Sequence, residues 1–225
     1  MSRSRVAGLV CEGPTDVPIL EELITRLWPE VETVLTLQPE VDEAGRPTGT
    51  MSGWTAVKAW CEQNASHLET ILRPGIGDDL DLLVIALDVD IAIDARIVDH
   101  PSRKTPYDGK RLCTKVKEWL SEGRARRLPR ELVIALPAMS IEAWALAALF
   151  PGEKRPETLA SPATVLANRK KLRIRDDGSV AKDLRHYEGF SRVIASRLQR
   201  VRDVCPEADR LCRKVEVRRG EVEKV

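Results

Sequence analysis

Acidic residues follow three apolar runs of the chain, at or shortly after the points where those runs end. The acids are Glu12, the pair Asp88 and Asp90, and Glu142. Several carboxylates held within a few ångströms cannot all stay ionised at neutral pH without a compensating ion. Because these groups offer only oxygen ligands, the favoured ion is Mg²⁺ or Mn²⁺. In Asp88-Val89-Asp90, the strand period of two predicts that both side chains point to one face.

The acids must be positioned by the elements that precede them. Short apolar or alternating runs bounded by turn residues predict four strands, over residues 6–11, 31–37, 80–87 and 132–136. Three- and four-residue spacing of apolar side chains predicts helices over 15–28, 54–73, 110–122 and 141–150. This alternation predicts an α/β fold, with a mainly parallel four-stranded sheet covered by helices on both faces. The alternating run 31–37 is typical of a strand nearer the sheet edge.

The carboxyl ends of parallel strands are where open α/β sheets bind ligands. We therefore expect Glu12, Asp88, Asp90 and Glu142 to surround one pocket at that edge. Beyond Pro151 no strong strand pattern appears, and residues 161–216 are rich in Arg and Lys at helical spacing. We expect a catalytic domain over residues 1–150 and a basic helical C-terminal extension over 151–225.

Composition excludes several classes of protein. Of the 225 residues, 43% are hydrophobic and 32% charged, which is too much charge for a fibre or a membrane protein and enough apolar side chain for one core. No apolar run approaches the length of a membrane span and no signal-peptide pattern begins the chain, so we expect a cytoplasmic protein without a membrane partner. The five cysteines show no CxxC spacing and are expected to be structural thiols.

Charge is divided unevenly along the chain. Residues 1–100 contain 7 Lys and Arg against 18 Asp and Glu, whereas residues 101–225 contain 29 against 17. Such polarity suits a protein that holds cations with one part and contacts phosphates with the other, although ordinary solvated surface would look the same. Two basic segments suit phosphate contact, with solvated helix surface as the alternative. Their candidate residues are Arg124, Arg126, Arg127, Arg169, Lys170 and Lys171.

Three motifs together resemble the Toprim domain, the Mg²⁺-dependent module of topoisomerases, bacterial primases and several nucleases. Val10-Cys11-Glu12-Gly13-Pro14-Thr15-Asp16 is similar to its strand-Glu-Gly-x-x-Asp motif, and Leu87-Asp88-Val89-Asp90 to its Asp-x-Asp motif. Ser140-Ile141-Glu142 resembles the Ser-x-Glu element of OLD-family nucleases and their small stand-alone relatives. The resemblance covers about residues 5–150.

The resemblance implies phosphodiester hydrolysis assisted by one or two metal ions. Glu12 would bind metal or act as general base, Asp88 and Asp90 would bind metal, and Asp16 and Glu142 would complete a second site. Ser140 would cap the helix, bind metal through its hydroxyl, or do both. Such sites also use a lysine to stabilise developing charge. Lys182 is the candidate here, with Lys170 and Lys171 as competitors.

The leading hypothesis is a Mg²⁺- or Mn²⁺-dependent nuclease acting on DNA or RNA. The resemblance also implies an effector role in an anti-phage defence module, with an ABC-type ATPase as a partner and homo-oligomers possible. The alternatives are a regulatory or interaction subunit that keeps the fold without full activity, and a metal-dependent phosphatase. The chain contains neither a GxGxxG motif nor a Walker A motif, which argues against a dinucleotide site and against ATP hydrolysis by this chain alone.

Overall fold

The computed structural model describes residues 4–40, 48, 53–93, 109–123 and 127–224. The strands of its main sheet are β1 (Arg5–Val10), β2 (Val31–Gln38), β3 (Leu82–Ala86) and β4 (Leu132–Ala135). The helices are α1 (Val17–Leu27), α2 (Trp54–Asn64), α3 (Leu68–Leu72), α4 (Gly109–Ser121), α5 (Glu142–Leu149), α6 (Pro162–Asn168), α7 (Leu184–Ser196), α8 (Leu198–Val204) and α9 (Pro206–Val222). A small hairpin is formed by β5 (Arg173–Ile174) and β6 (Val180–Ala181).

The main sheet is parallel throughout, in the order β2-β1-β3-β4. The predicted α/β class and four-stranded parallel sheet are therefore confirmed. β3 is buried along its whole length, as a central strand covered on both faces must be. β2, most of whose residues are partly or fully exposed, lies at the sheet edge, as its sequence pattern predicted.

Helices cover both faces of the sheet. One face packs against α2, α3 and α4, through residues such as Val57, Leu68 and Leu112. The other packs against α1, α5, α7 and α9, through residues such as Leu23 and Leu146. No helix within the described ranges is long and apolar enough to cross a membrane.

The C-terminal helices belong to the second of these cores. Tyr187 and Ile194 of α7 and Leu211 and Val215 of α9 are buried in the same cluster as Leu9 and Val84 of the sheet. Residues 151–224 are therefore mainly helical, as expected, and their helices cover one face of the sheet.

The hairpin β5–β6 was not predicted. Its strands have two residues each, too few to show a periodicity in the sequence. Arg173 pairs with Ala181 and Ile174 with Val180, around a turn in which Gly178 takes a positive φ of 82°. This hairpin places the residue that follows it, Lys182, in the candidate site.

Candidate active site

The acidic residues meet because three parallel strands end side by side. Val10 of β1 lies in register with Ile85 of β3, and Ala86 of β3 with Ala135 of β4. Glu12 and Asp88 each lie two residues beyond a strand, and Glu142 opens the helix that follows β4. The short loops after the strands therefore bring these carboxylates to one edge of the sheet.

Two carboxylates connect these loops by hydrogen bonds. The backbone N–H of Asp88 donates to Oε1 of Glu12 at 2.7 Å, which connects the ends of β1 and β3. The backbone N–H of Ile141 donates to Oδ1 of Asp88 at 3.1 Å, which connects β3 to the start of α5. Each carboxyl oxygen satisfies a backbone N–H of a neighbouring loop, so both acids help to hold the edge together.

Asp16 joins the cluster from the loop between β1 and α1. Its Oδ2 accepts the backbone N–H of Gly13 at 3.1 Å, which closes the tight turn Gly13 to Asp16. Its side chain is buried, its charge raises the pKa of Glu12, and the charge of Glu142 raises the pKa of Asp16 itself. The strand-Glu-Gly-x-x-Asp segment thus contributes two acids to the same edge.

Asp88 and Asp90 do not share a strand face. The chain leaves the sheet at Ala86 and forms a 3-10 helix over Val89–Ile93, so the strand period of two does not apply to this pair. Asp88 is half-buried inside the cluster, whereas Asp90 is exposed at its rim. The prediction that the side chains of Asp88 and Asp90 point to one face of a strand was wrong. Asp90 still lies close enough for its charge to act on Glu12 and Asp88.

Glu142 is the most buried of these acids, with no exposed surface. Its Oε1 accepts a hydrogen bond from the Tyr187 hydroxyl at 2.5 Å and lies 2.9 Å from the Lys182 ammonium. Its Oε2 is buried without a hydrogen-bond partner among the described residues. Tyr187 and Lys182 both bind Oε1, and the hydrogen-bonding capacity of Oε2 is left unused within the described ranges.

Tyr187 is a site residue that the sequence analysis missed. It lies 45 residues from Glu142, inside a helix whose apolar face also packs in the core. Nothing in its local pattern distinguishes it from an ordinary core aromatic residue. Lys182 was named from its sequence neighbourhood, and the structure places its ammonium against Glu142.

Ser140 lies beside Glu142 at the end of a tight loop. Its side chain is buried and helps to lower the pKa of Glu142. The preceding residue, Met139, is buried and has a positive φ of 66°, an uncommon conformation for a residue with a side chain. Strained backbone of this kind clusters at functional sites, where the surrounding structure holds it in place.

Burial and mutual repulsion shift the pKa values of the acids. Burial raises the pKa of Glu12 to about 8 and that of Asp16 to about 7, with neighbouring carboxylates adding to both. Burial and the charge of Glu12 also raise the pKa of Asp88, and burial raises that of Asp90. Burial alone would raise the pKa of Glu142, but Lys182, Ser140 and Tyr187 together hold it below its usual value. The cluster therefore has more carboxylates than Lys182 can neutralise.

The residues expected to contact nucleic acid are not together. Arg127 is exposed and precedes β4, whereas the carboxylates follow the carboxyl ends of the strands. The length of β4, roughly 13 Å, therefore separates Arg127 from the carboxylates. Arg169 forms an ion pair with Glu153 at 2.9 Å and lies over the ring of Phe150. Lys170 and Lys171 are exposed at the end of α6. Arg124 and Arg126 lie outside the described residues.

No three carboxylate, imidazole or thiol groups in the described ranges form a ready-made metal-binding set. The acids are thus brought to one edge and coupled through their charges, without closing around a single point. Comparison with family models, with curated proteins and with solved structures finds no match to this chain.

Proposed function

We propose that this protein is a Mg²⁺- or Mn²⁺-dependent nuclease that hydrolyses phosphodiester bonds in DNA or RNA, with a catalytic centre of the Toprim type. The observation that carries the proposal is the convergence of Glu12, Asp16, Asp88 and Glu142 at one sheet edge, with too little positive charge to balance them. Like charges held in this way are a common signature of a site built for a cation.

The residues fit a divalent cation by their chemistry. All donors in the cluster are hard oxygens, and the buried Oε2 of Glu142 has no hydrogen-bond partner in the part of the chain that the structure describes. Glu12, Asp88 and Asp90 would hold one ion, and Asp16, Ser140 and Glu142 would complete a second site. A divalent cation supplies Lewis-acid polarisation of the phosphoryl group when it is bound.

The chain's own residues supply position and charge. Lys182 would place its ammonium beside the transferred phosphate and stabilise the negative charge that develops there. The bonds from Asp88 to Glu12 and from Ile141 to Asp88 would keep the acids oriented before substrate arrives. Glu12 is the candidate to accept a proton from the attacking water.

Mn²⁺ titration followed by thermal unfolding tests the cation site without any assay of activity. Wild-type protein should gain several degrees in melting temperature with Mn²⁺, because the ion binds the folded state and relieves carboxylate repulsion. Asp88→Asn should lose most of that gain. Glu62→Gln, an exposed acid on α2, is the matched control and should keep it. An unchanged wild-type melting temperature would mean that the carboxylates do not bind metal.

Cleavage separates a nuclease from the alternative of an inactive subunit. Glu12→Gln should abolish Mn²⁺-dependent cutting of plasmid DNA and structured RNA, while nucleic-acid binding stays intact. One arm of the assay should include a candidate ABC-type ATPase, since an effector of an anti-phage module can be silent alone. Wild-type protein that binds but cuts in neither arm favours the regulatory subunit, and hydrolysis of small phosphomonoesters alone favours the phosphatase.

A further inference from the structure

Exposed cations cluster on the segment that carries Lys182 to the site. This segment runs from the end of α6 through the hairpin β5–β6 to the first turn of α7. Apart from Arg175, which donates to the Ser179 hydroxyl, these cations are Lys170, Lys171, Arg173 and Arg185. None of their side chains has a hydrogen-bond or ion-pair partner among the described residues.

The arginines of α8 and α9 differ in this respect. Arg202 binds Asp209 and Glu216, Arg213 binds Asp209, and Arg219 binds Glu30 and Glu223. Arg200 and Arg218 donate to backbone carbonyls of the sheet and helix loops. These side chains are used for folding. Most of the positive charge that the sequence places in α8 and α9 is therefore already neutralised.

Two of the unpaired cations, Arg173 and Arg185, lie close in the chain fold to Lys182. Arg173 pairs with Ala181 across the hairpin, so their Cα atoms are about 5 Å apart, and Lys182 is the next residue. Arg185 follows Lys182 by three residues, in the first turn of α7. The ammonium of Lys182 contacts Glu142 itself. A chain of phosphates that passes Arg173 and Arg185 would reach Lys182, the residue that contacts Glu142.

We infer that Lys170, Lys171, Arg173 and Arg185 form the surface that binds the phosphodiester backbone of a nucleic acid and leads it to the carboxylate cluster. This inference rests on the proposed function, because it names the path of that substrate. It also assigns the contact to a surface other than that of Arg127, which precedes β4 at the far end of the sheet.

The salt dependence of binding tests the inference. Each contact between a cation and a phosphate releases counterions, so a variant with fewer contacts should show a weaker dependence on salt. Fluorescein-labelled oligonucleotides, single-stranded and duplex, DNA and RNA, are titrated in EDTA so that no cleavage occurs. The variant Arg173→Gln/Arg185→Gln should lower the magnitude of the slope of log K against log salt by roughly 1.8 on duplex DNA and roughly 1.4 on single strands. Lys170→Gln/Lys171→Gln is a second pair with the same expectation.

Arg26→Gln/Arg127→Gln is the matched control. Both arginines are exposed, and Arg127 lies at the opposite edge of the sheet. The control should keep the wild-type slope, and melting temperatures show that every variant is folded. Equal slopes in all variants, or no measurable binding by wild type, overturn the inference. The expected loss of slope in both variant pairs, together with no cleavage by wild type, would instead remove the nuclease function and leave this surface assigned.

Discussion

Glu142 shows how a buried carboxylate stays charged in this protein. Its Oε1 is bound by Tyr187 and Lys182, and these contacts outweigh the cost of complete burial. The charge of Glu142 in turn raises the pKa of Lys182, although burial opposes this. Each residue keeps the other ionised. Removing either residue leaves the other charge without its partner.

Lys182→Met should therefore destabilise the protein by about 1–3 kcal/mol, less than for a fully buried pair because the lysine is half exposed. Adding Glu142→Gln should recover much of this loss, since the orphaned charge is gone. Urea unfolding of both single variants and the double variant measures the coupling. Lys171→Met, an exposed lysine without a described partner, should change stability by less than about 0.5 kcal/mol. Additive effects in the double variant would contradict the pairing.

Helix α5, which begins with Glu142, is anchored at its other side by a second buried acid. Trp144 donates its indole N–H to Oε1 of Glu157 at 2.9 Å, and the backbone N–H of Glu207 donates to Oε2 at 3.2 Å. Glu157 thereby connects α5, the 3-10 helix Pro156–Thr158 and the start of α9. Burial raises the pKa of Glu157 to about 7, with the charge of Glu207 adding to the effect.

This raised pKa predicts a loss of stability with rising pH. Below about pH 4.5, Glu157 is protonated in both the folded and the unfolded chain, and its contribution to the free energy of unfolding is fully present. As pH rises through 7 the folded protein must ionise a buried group, and on the order of 3 kcal/mol is lost. Urea unfolding at pH 5 and pH 8 should show Glu157→Gln gaining stability relative to wild type by about that amount. The control Glu62→Gln should show no such change. If the difference in free energy of unfolding between Glu157→Gln and wild type is the same at both pH values, the raised pKa of Glu157 is contradicted.

At the scale of the whole molecule, the C-terminal helices and the sheet share one core. Tyr187, Ile194, Leu211 and Val215 are buried against the same sheet face as α1 and α5. The helix α7 also supplies Tyr187 to the site, and the hairpin before it supplies Lys182. Residues 1–150 alone would expose an apolar sheet face and would lack both residues.

Unfolding should therefore be a single transition, with tryptophan fluorescence and circular dichroism giving the same midpoint. Leu211→Ala in α9 should destabilise the whole protein by about 2–4 kcal/mol and move both signals together. Val217→Ala on the same helix, where the side chain is 62% exposed, should cost less than about 0.5 kcal/mol. A Leu211→Ala protein that unfolds in two steps would indicate that residues 151–225 form an independent unit.

Local sequence pattern alone predicted the parallel sheet, its four strands and the acids at the strand ends. These features depend on strand periodicity and on the residues that end a strand, and both are visible in residues that are adjacent in the sequence. The tertiary structure decided the rest. The chain bends into a 3-10 helix after Asp88, which no period predicts, and Tyr187 and Lys182 meet Glu142 from 45 and 40 residues away. Whether a basic residue is free to bind a phosphate or already serves folding depends on partners far along the chain. Arg173 and Arg219 look alike in sequence, and only packing distinguishes them.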